Sequence, residues 1–208
     1  MVCMYHGERF NSYTHLAGSV LAVTGAAALM TMAVQRADVV RLASFAVYGS
    51  TLCLLFLAST LYHSTQGRAK DLFRKLDHCS IYLVIAGSYT PIAMVKLDGT
   101  WGWTLFGAVW SLAIVGIIQE IWIAKGMRLT SLAIYLLMGW LALIAVEPIV
   151  SALTWNGFAW MLAAGMIYTV GIVFYLYDER FKHWHGIWHL FVLAGSAAYY
   201  AMILKFVA

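Results

Sequence analysis

Seven stretches of about twenty mostly apolar residues alternate with short polar breaks along the chain. They run 13–34, 42–63, 76–95, 103–124, 130–150, 158–177 and 184–206. About twenty apolar residues suffice to cross the hydrocarbon of a bilayer. The runs lack the strict alternation of a membrane barrel, and only helices or closed barrels satisfy their backbone groups in lipid. The pattern therefore predicts an all-α, integral membrane bundle of seven transmembrane helices in a single domain covering 1–208. The breaks are too short for soluble domains between spans.

Composition agrees. The chain is 63% hydrophobic and 11% charged, against about 45–50% and 25% for a soluble domain. With two prolines and no Ser- or Pro-rich linker, nothing suggests a second domain. No basic region followed by an apolar core and cleavage site opens the chain, so no removable signal peptide is expected. Cys3, Cys53 and Cys79 show no paired spacing, which argues against a disulfide framework or a thiolate metal site.

The net charge of +4 points to helix ends rather than to nucleic acid. Arg9, Arg68, Lys70, Arg74, Lys75, Lys125, Arg128, Arg180 and Lys182 fall on one side of seven alternating spans. Arg36, Arg41, Lys96 and Lys205 fall on the other. Basic residues gather on the cytoplasmic side, so the expectation is a cytoplasmic N-terminus and an outside C-terminus. Trp101, Trp103, Trp122, Trp155 and Trp184 sit near expected span ends, as an interfacial belt would.

Against this background the ionisable residues inside spans stand out. In H-W-H-G-I-W-H-L-F, His185 and His189 are four apart and share one helix face. That spacing suits two imidazoles on one metal ion, or equally a pair of core histidines bonded to carbonyls. The second span ends L-A-S-T-L-Y-H-S, with Ser59 and His63 again four apart. The third opens R-K-L-D-H-C-S-I-Y. Here Asp77 and His78 point about 100° apart, so one faces the bundle where the other does not. Glu8, Asn11 and His15 follow helical spacing at the start of the first span. Glu120 and Glu147 look out of place in lipid and are expected to face the interior.

With the orientation above, nearly all these residues fall within about two turns of the same membrane face. Independent decoration of interfaces would have used both faces, so one shared site is the better reading. Three neutral imidazoles from His63, His185 and His189 would make three ligands of a zinc site with an open fourth position. Asp77 would hold a water or act as general base, and Ser59 would support an oxyanion. Imidazole ligands favour Zn2+ over magnesium without excluding copper or iron.

G-E-R-F-N-S-Y-T-H, S-T-L-Y-H, K-L-D-H-C-S-I-Y and H-G-I-W-H-L-F, in that order, resemble the progestin and adipoQ receptor superfamily. The nearer likeness is to its bacterial, hemolysin III-related branch, and it covers essentially the whole chain. The resemblance implies a zinc ion near the cytoplasmic face held by His63, His185 and His189. It implies Asp77 as a partner through water, and Ser59 as the motif serine. Glu8, Asn11 and His15 become candidates for the layer behind the ligands.

The resemblance further implies hydrolysis of lipid amides, as in ceramidase-like relatives, or a role in membrane homeostasis in the bacterial inner membrane. Membrane lipids are then the expected partners. The short outer loops argue against a protein hormone. Two other readings stay open: a non-enzymatic sensor of membrane state with structural zinc, and a pore-forming cytolysin. No polar channel stripe supports the last. Retinal chemistry is excluded, because the last span has no lysine near its middle.

Overall fold

The computed structural model describes residues 8–97, 99–123 and 128–208, so Cys3 and Lys125 lie outside it. Among the described residues every regular element is helical. In chain order they are α1 (Arg9–Gln35), α2 (Val39–Ser64), α3 (Gly67–Pro91), α4 (Gly99–Ile118), α5 (Arg128–Gly139), α6 (Val146–Leu176) and α7 (Trp184–Phe206). Short π-helical turns extend α3 over Ile92–Lys96 and α4 over Gln119–Ile123. A 3-10 turn, Leu141–Ala145, joins α5 to α6.

Six stretches among the described residues are long and apolar enough to cross a membrane. The expectation of seven separate transmembrane helices is thereby corrected to six. The reason lies at S-A-L-T-W-N-G (151–157), which reads as a loop in the sequence. There the helix carries on, and Arg128–Leu176 forms one helical stretch of 49 residues. Laid straight it would be about 74 Å long, more than twice the hydrocarbon thickness. It is not straight. Arg128 at its start bonds Asp178 just beyond its end, at 2.8 Å. The fold-back sits at Thr154, the single residue of α6 with non-helical dihedrals (φ 65, ψ 168).

Helix starts and stops follow local chemistry. Asp38 caps α2 by accepting from the Arg41 backbone N–H and pairs with the Arg41 guanidinium at 2.6 Å. Gly99, the first residue of α4, takes positive φ (59°), which a residue without Cβ does at little cost. Pro91 ends the regular part of α3, and the π-helical turn follows it.

The bundle is apolar on both sides. Phe45, Tyr48, Phe56, Tyr82, Ile92 and Met202 are fully buried, while Val20, Leu21, Ile144, Trp103 and Trp155 face outward. That outward face suits lipid rather than water. Without a hydrophobic drive between helices in lipid, close packing of small residues matters. At Gly49 an added Cβ would come within 2.5 Å of the Ala26 Cβ, so α1 and α2 touch backbone to backbone there. α7 packs on α6 and closes back onto α1, where the Tyr200 hydroxyl donates to the Gly25 carbonyl at 3.1 Å.

The two ends of the bundle differ. One collects the starts of α1, α3, α5 and α7 and the ends of α2, α4 and α6, with His63, Asp77, Glu120, Asp178 and His185. At the other, Arg41 donates to the carbonyl of Val207 near the C-terminus.

Candidate metal centre

His63 lies one residue before the end of α2, and His185 is the second residue of α7 with His189 one turn on. Their ring centroids are 4.8–5.1 Å apart. One ligand atom from each lies within 4.8 Å of the others. Ligation by three imidazoles at Zn–N distances of about 2.1 Å would bring the nitrogens to about 3.3 Å. His63 and His189 are buried, and His185 is half-buried.

The protonation pattern is set by the outer partners. His63 Nδ1 donates to Glu8 Oε2 at 2.5 Å, His185 Nδ1 to Asp178 Oδ2 at 2.6 Å, and His189 Nδ1 to the Asn11 carbonyl at 3.1 Å. Carboxylates and carbonyls only accept. The proton of each neutral ring therefore sits on Nδ1, and the Nε2 lone pair is left for a ligand. Metal-binding histidines show this arrangement almost always. Among the described residues His63 Nε2 is fully buried without any hydrogen-bond partner, which burial makes costly unless something binds it. The donor set and this orphaned nitrogen fit a zinc ion.

Two salt-bridged acids support the rings. Glu8 bonds His63, Lys70 at 3.1 Å and Asn11 at 3.0 Å. The His63 bond, against the opposing effect of burial, holds its carboxyl down to about 2. Asp178 accepts from His185 and, through both oxygens, from one Arg128 nitrogen at 2.8 and 2.9 Å. Burial pushes the Asp178 carboxyl up, but these two partners outweigh it and the net direction is down.

The remaining candidates fall around this group. Asp77 and Ser59 line the same cavity, Ser59 fully buried one turn deeper than His63. Neither belongs to the close three-histidine group among the described residues. Glu8 and Asn11 stand directly behind His63 and His189. His15 instead stacks on His189, ring centroids 3.7 Å apart, with both nitrogens buried and unpartnered among the described residues.

His78 turns to Glu120, donating at 2.8 Å, and Ser131 donates to the other Glu120 oxygen at 2.7 Å. Glu120 thus faces the interior as expected. Glu147 does not: it is exposed at the start of α6. Its place next to Pro148 in the first turn gives an acid a favourable helix-dipole position instead. Asp178 and Arg128 are the supporting residues that sequence reasoning missed. The available signal was an acid seven residues before His185, in D-E-R-F-K-H-W-H.

The three histidines, Asp77, Ser59, Glu120 and Asp178 all line one cavity of about 1090 Å³. Its mouth holds the histidines, Asp77, Arg74, Lys75 and Arg128. Its middle is walled by Leu52, Leu55, Ile81, Val84 and Val192. A polar, metal-competent mouth above an apolar shaft suits an amphiphile better than a small polar solute.

A family model described as haemolysin-III related matches residues 3–200. The chain is 41% identical to "Hemolysin-3" of Bacillus cereus over 201 residues, covering 96% of this chain and 91% of that protein. It is 41% identical to the "Hemolysin-3 homolog" of Bacillus subtilis, covering 95% and 92%. A human relative, "Monocyte to macrophage differentiation factor", is 30% identical over 98% of this chain and 85% of its own length.

Proposed function

Because the chain belongs to the haemolysin-III related family and is a multi-pass protein of the bacterial cytoplasmic membrane, we propose that its three-histidine site holds zinc and hydrolyses a lipid amide. The observation that carries this reading is the shared orientation of the rings. Each Nδ1 is spent on an acceptor, which leaves each Nε2 lone pair for a ligand, and one ring nitrogen from each histidine lies within 4.8 Å of the others.

Zinc in such a site supplies a Lewis acid and brings the pKa of a bound water to about 7. The residues of the chain do the rest. Glu8, Asp178 and the Asn11 carbonyl hold the rings in one tautomer and orientation. The Asp77 carboxylate takes the proton of an attacking water and returns it to the departing amine. The Ser59 hydroxyl donates to the carbonyl oxygen as negative charge develops there. The apolar shaft holds the acyl chain, excluding water from around the amide. Hydrolysis of a membrane lipid is the form in which such a protein would serve membrane homeostasis.

The test is metal content and fatty acid release. Purified protein should carry about one zinc and release fatty acid from ceramide-type lipids. His189→Ala should lose both metal and activity; Asp77→Ala should keep metal and lose activity. Full zinc retention with no release from any amide or ester lipid would refute the enzyme. In that case the same geometry, which joins α2 to α7, favours zinc as a clamp in a membrane-state sensor.

A further inference from the structure

The cavity does not end in hydrocarbon. Along α2 its wall is Tyr48, Leu52, Leu55, Ser59 and His63, a stripe at helical spacing. From His63 to Tyr48 is fifteen residues, about 22 Å of helix. The lining therefore runs polar at the histidines, apolar in the middle and polar again at the floor, where Tyr48, Tyr89, Tyr168 and Tyr199 meet.

Three of these four phenols are satisfied by the protein. Tyr199 donates to the Ser88 carbonyl at 3.0 Å, and Tyr168 shares a 2.8 Å bond with Ser196. Tyr89 donates to the Gly139 carbonyl and accepts from the Ala142 N–H. Tyr48 is different. Its ring is buried 6.2 Å from that of Tyr199, and its hydroxyl is buried with no partner among the described residues. Phenylalanine would fill the same space without leaving a donor unpaired, and buried donors are rarely left so. An unpaired donor beside a binding cavity is explained by a ligand that brings the acceptor.

We propose that the floor of the cavity is a second polar subsite, in which the Tyr48 hydroxyl recognises a hydroxyl group far along the acyl chain of the bound lipid. The inference rests on the amphiphile reading of the cavity above. It narrows the substrate class to lipids whose chain carries a polar group about 20 Å from the head. Tyr48 acts here as a specificity residue and takes no part in bond cleavage.

Binding tests it without turnover. Wild-type protein in detergent micelles is titrated by calorimetry with 16-hydroxyhexadecanoic acid and with heptadecanoic acid. The two have the same chain length and differ in whether a hydroxyl or a methyl stands at the end. One added neutral hydrogen bond predicts about tenfold tighter binding of the hydroxy acid. In Tyr48→Phe the preference should vanish while the thermal midpoint is kept. A 2-hydroxyhexadecanoic acid control, with its hydroxyl near the head, should show no dependence on Tyr48.

Equal affinity of the two long acids for wild type would overturn the proposal and leave the Tyr48 hydroxyl to an ordered water. Failure of every acid to bind would overturn it also. Should Tyr48→Phe not fold, the wild-type pair decides alone. Absence of lipid hydrolysis leaves this result standing, since no step of it reads turnover.

Discussion

Replacing Asp178 by asparagine should weaken metal binding while leaving all three imidazoles in place. Asp178 accepts the Nδ1–H of His185 at 2.6 Å and is itself held by Arg128 at 2.8 and 2.9 Å, with 7% of its side chain exposed. Asparagine keeps one accepting oxygen but loses the charge, and its amide faces the Arg128 donor. The bond to His185 then drops from charge-assisted to neutral, roughly half its strength. Loss of such an outer partner costs about 10–100-fold in metal affinity, or about 1.4–2.7 kcal/mol. The assay is competition for zinc with a chromogenic chelator at constant pH, with the thermal midpoint of the metal-free protein measured alongside. Arg128→Gln is the control. It frees Asp178 from its guanidinium but keeps the carboxylate on His185, so its affinity should fall less. An unchanged zinc affinity in Asp178→Asn would refute the argument that this carboxylate tunes His185. An equal loss in Arg128→Gln would assign the effect to packing of the α5 start.

Other perturbations test the frame. Gly49→Ala places a methyl 2.5 Å from the Ala26 Cβ and should destabilise by about 1–3 kcal/mol. Gly107→Ala meets nothing within 4 Å and should be neutral or slightly stabilising, about 1 kcal/mol at most; thermal melts in detergent compare the two. Thr154→Gly should raise the midpoint, because a β-branched residue at φ 65 carries strain of about 1–3 kcal/mol, only partly offset by the entropy of glycine; a lowered midpoint would count against strain there. Glu8 is held down to about 2, below its unfolded value near 4.3. Its contribution is present above pH 4–5 and is lost as pH falls toward 2. Metal-free wild type should therefore lose more stability than Glu8→Gln over that acid range, and parallel acid melts would disprove this role.

Much of the candidate three-histidine group was legible, because it rests on local periodicity. His185 and His189 are one turn apart, and His63 ends its helix at the matching depth. What stayed hidden depends on three-dimensional proximity. Asp178 sits on a connection, where an acid among Arg180 and Lys182 looks like ordinary surface charge. Only its place seven residues before His185 hints at the pairing. The continuity of Arg128–Leu176 through the break at 151–157 was hidden for a related reason. Polar Thr154 and Asn156 suggest a loop, whereas the backbone turns at one residue and resumes its helix. The depth of the cavity was invisible too. Leu52 and Val84 look like ordinary core, and only their placement around an open shaft gives Tyr48 its meaning.

The closure of α7 onto α1 also sets the order in which the site can be made. Chains emerge N-terminus first. When α2 has entered the membrane, His63 and Glu8 are already available, but His185 and His189 lie more than 120 residues downstream. A nascent or truncated chain without α7 owns one candidate ligand of three. The centre is therefore a late product of biogenesis, and a metal ion held there would report that the last helix has found α2.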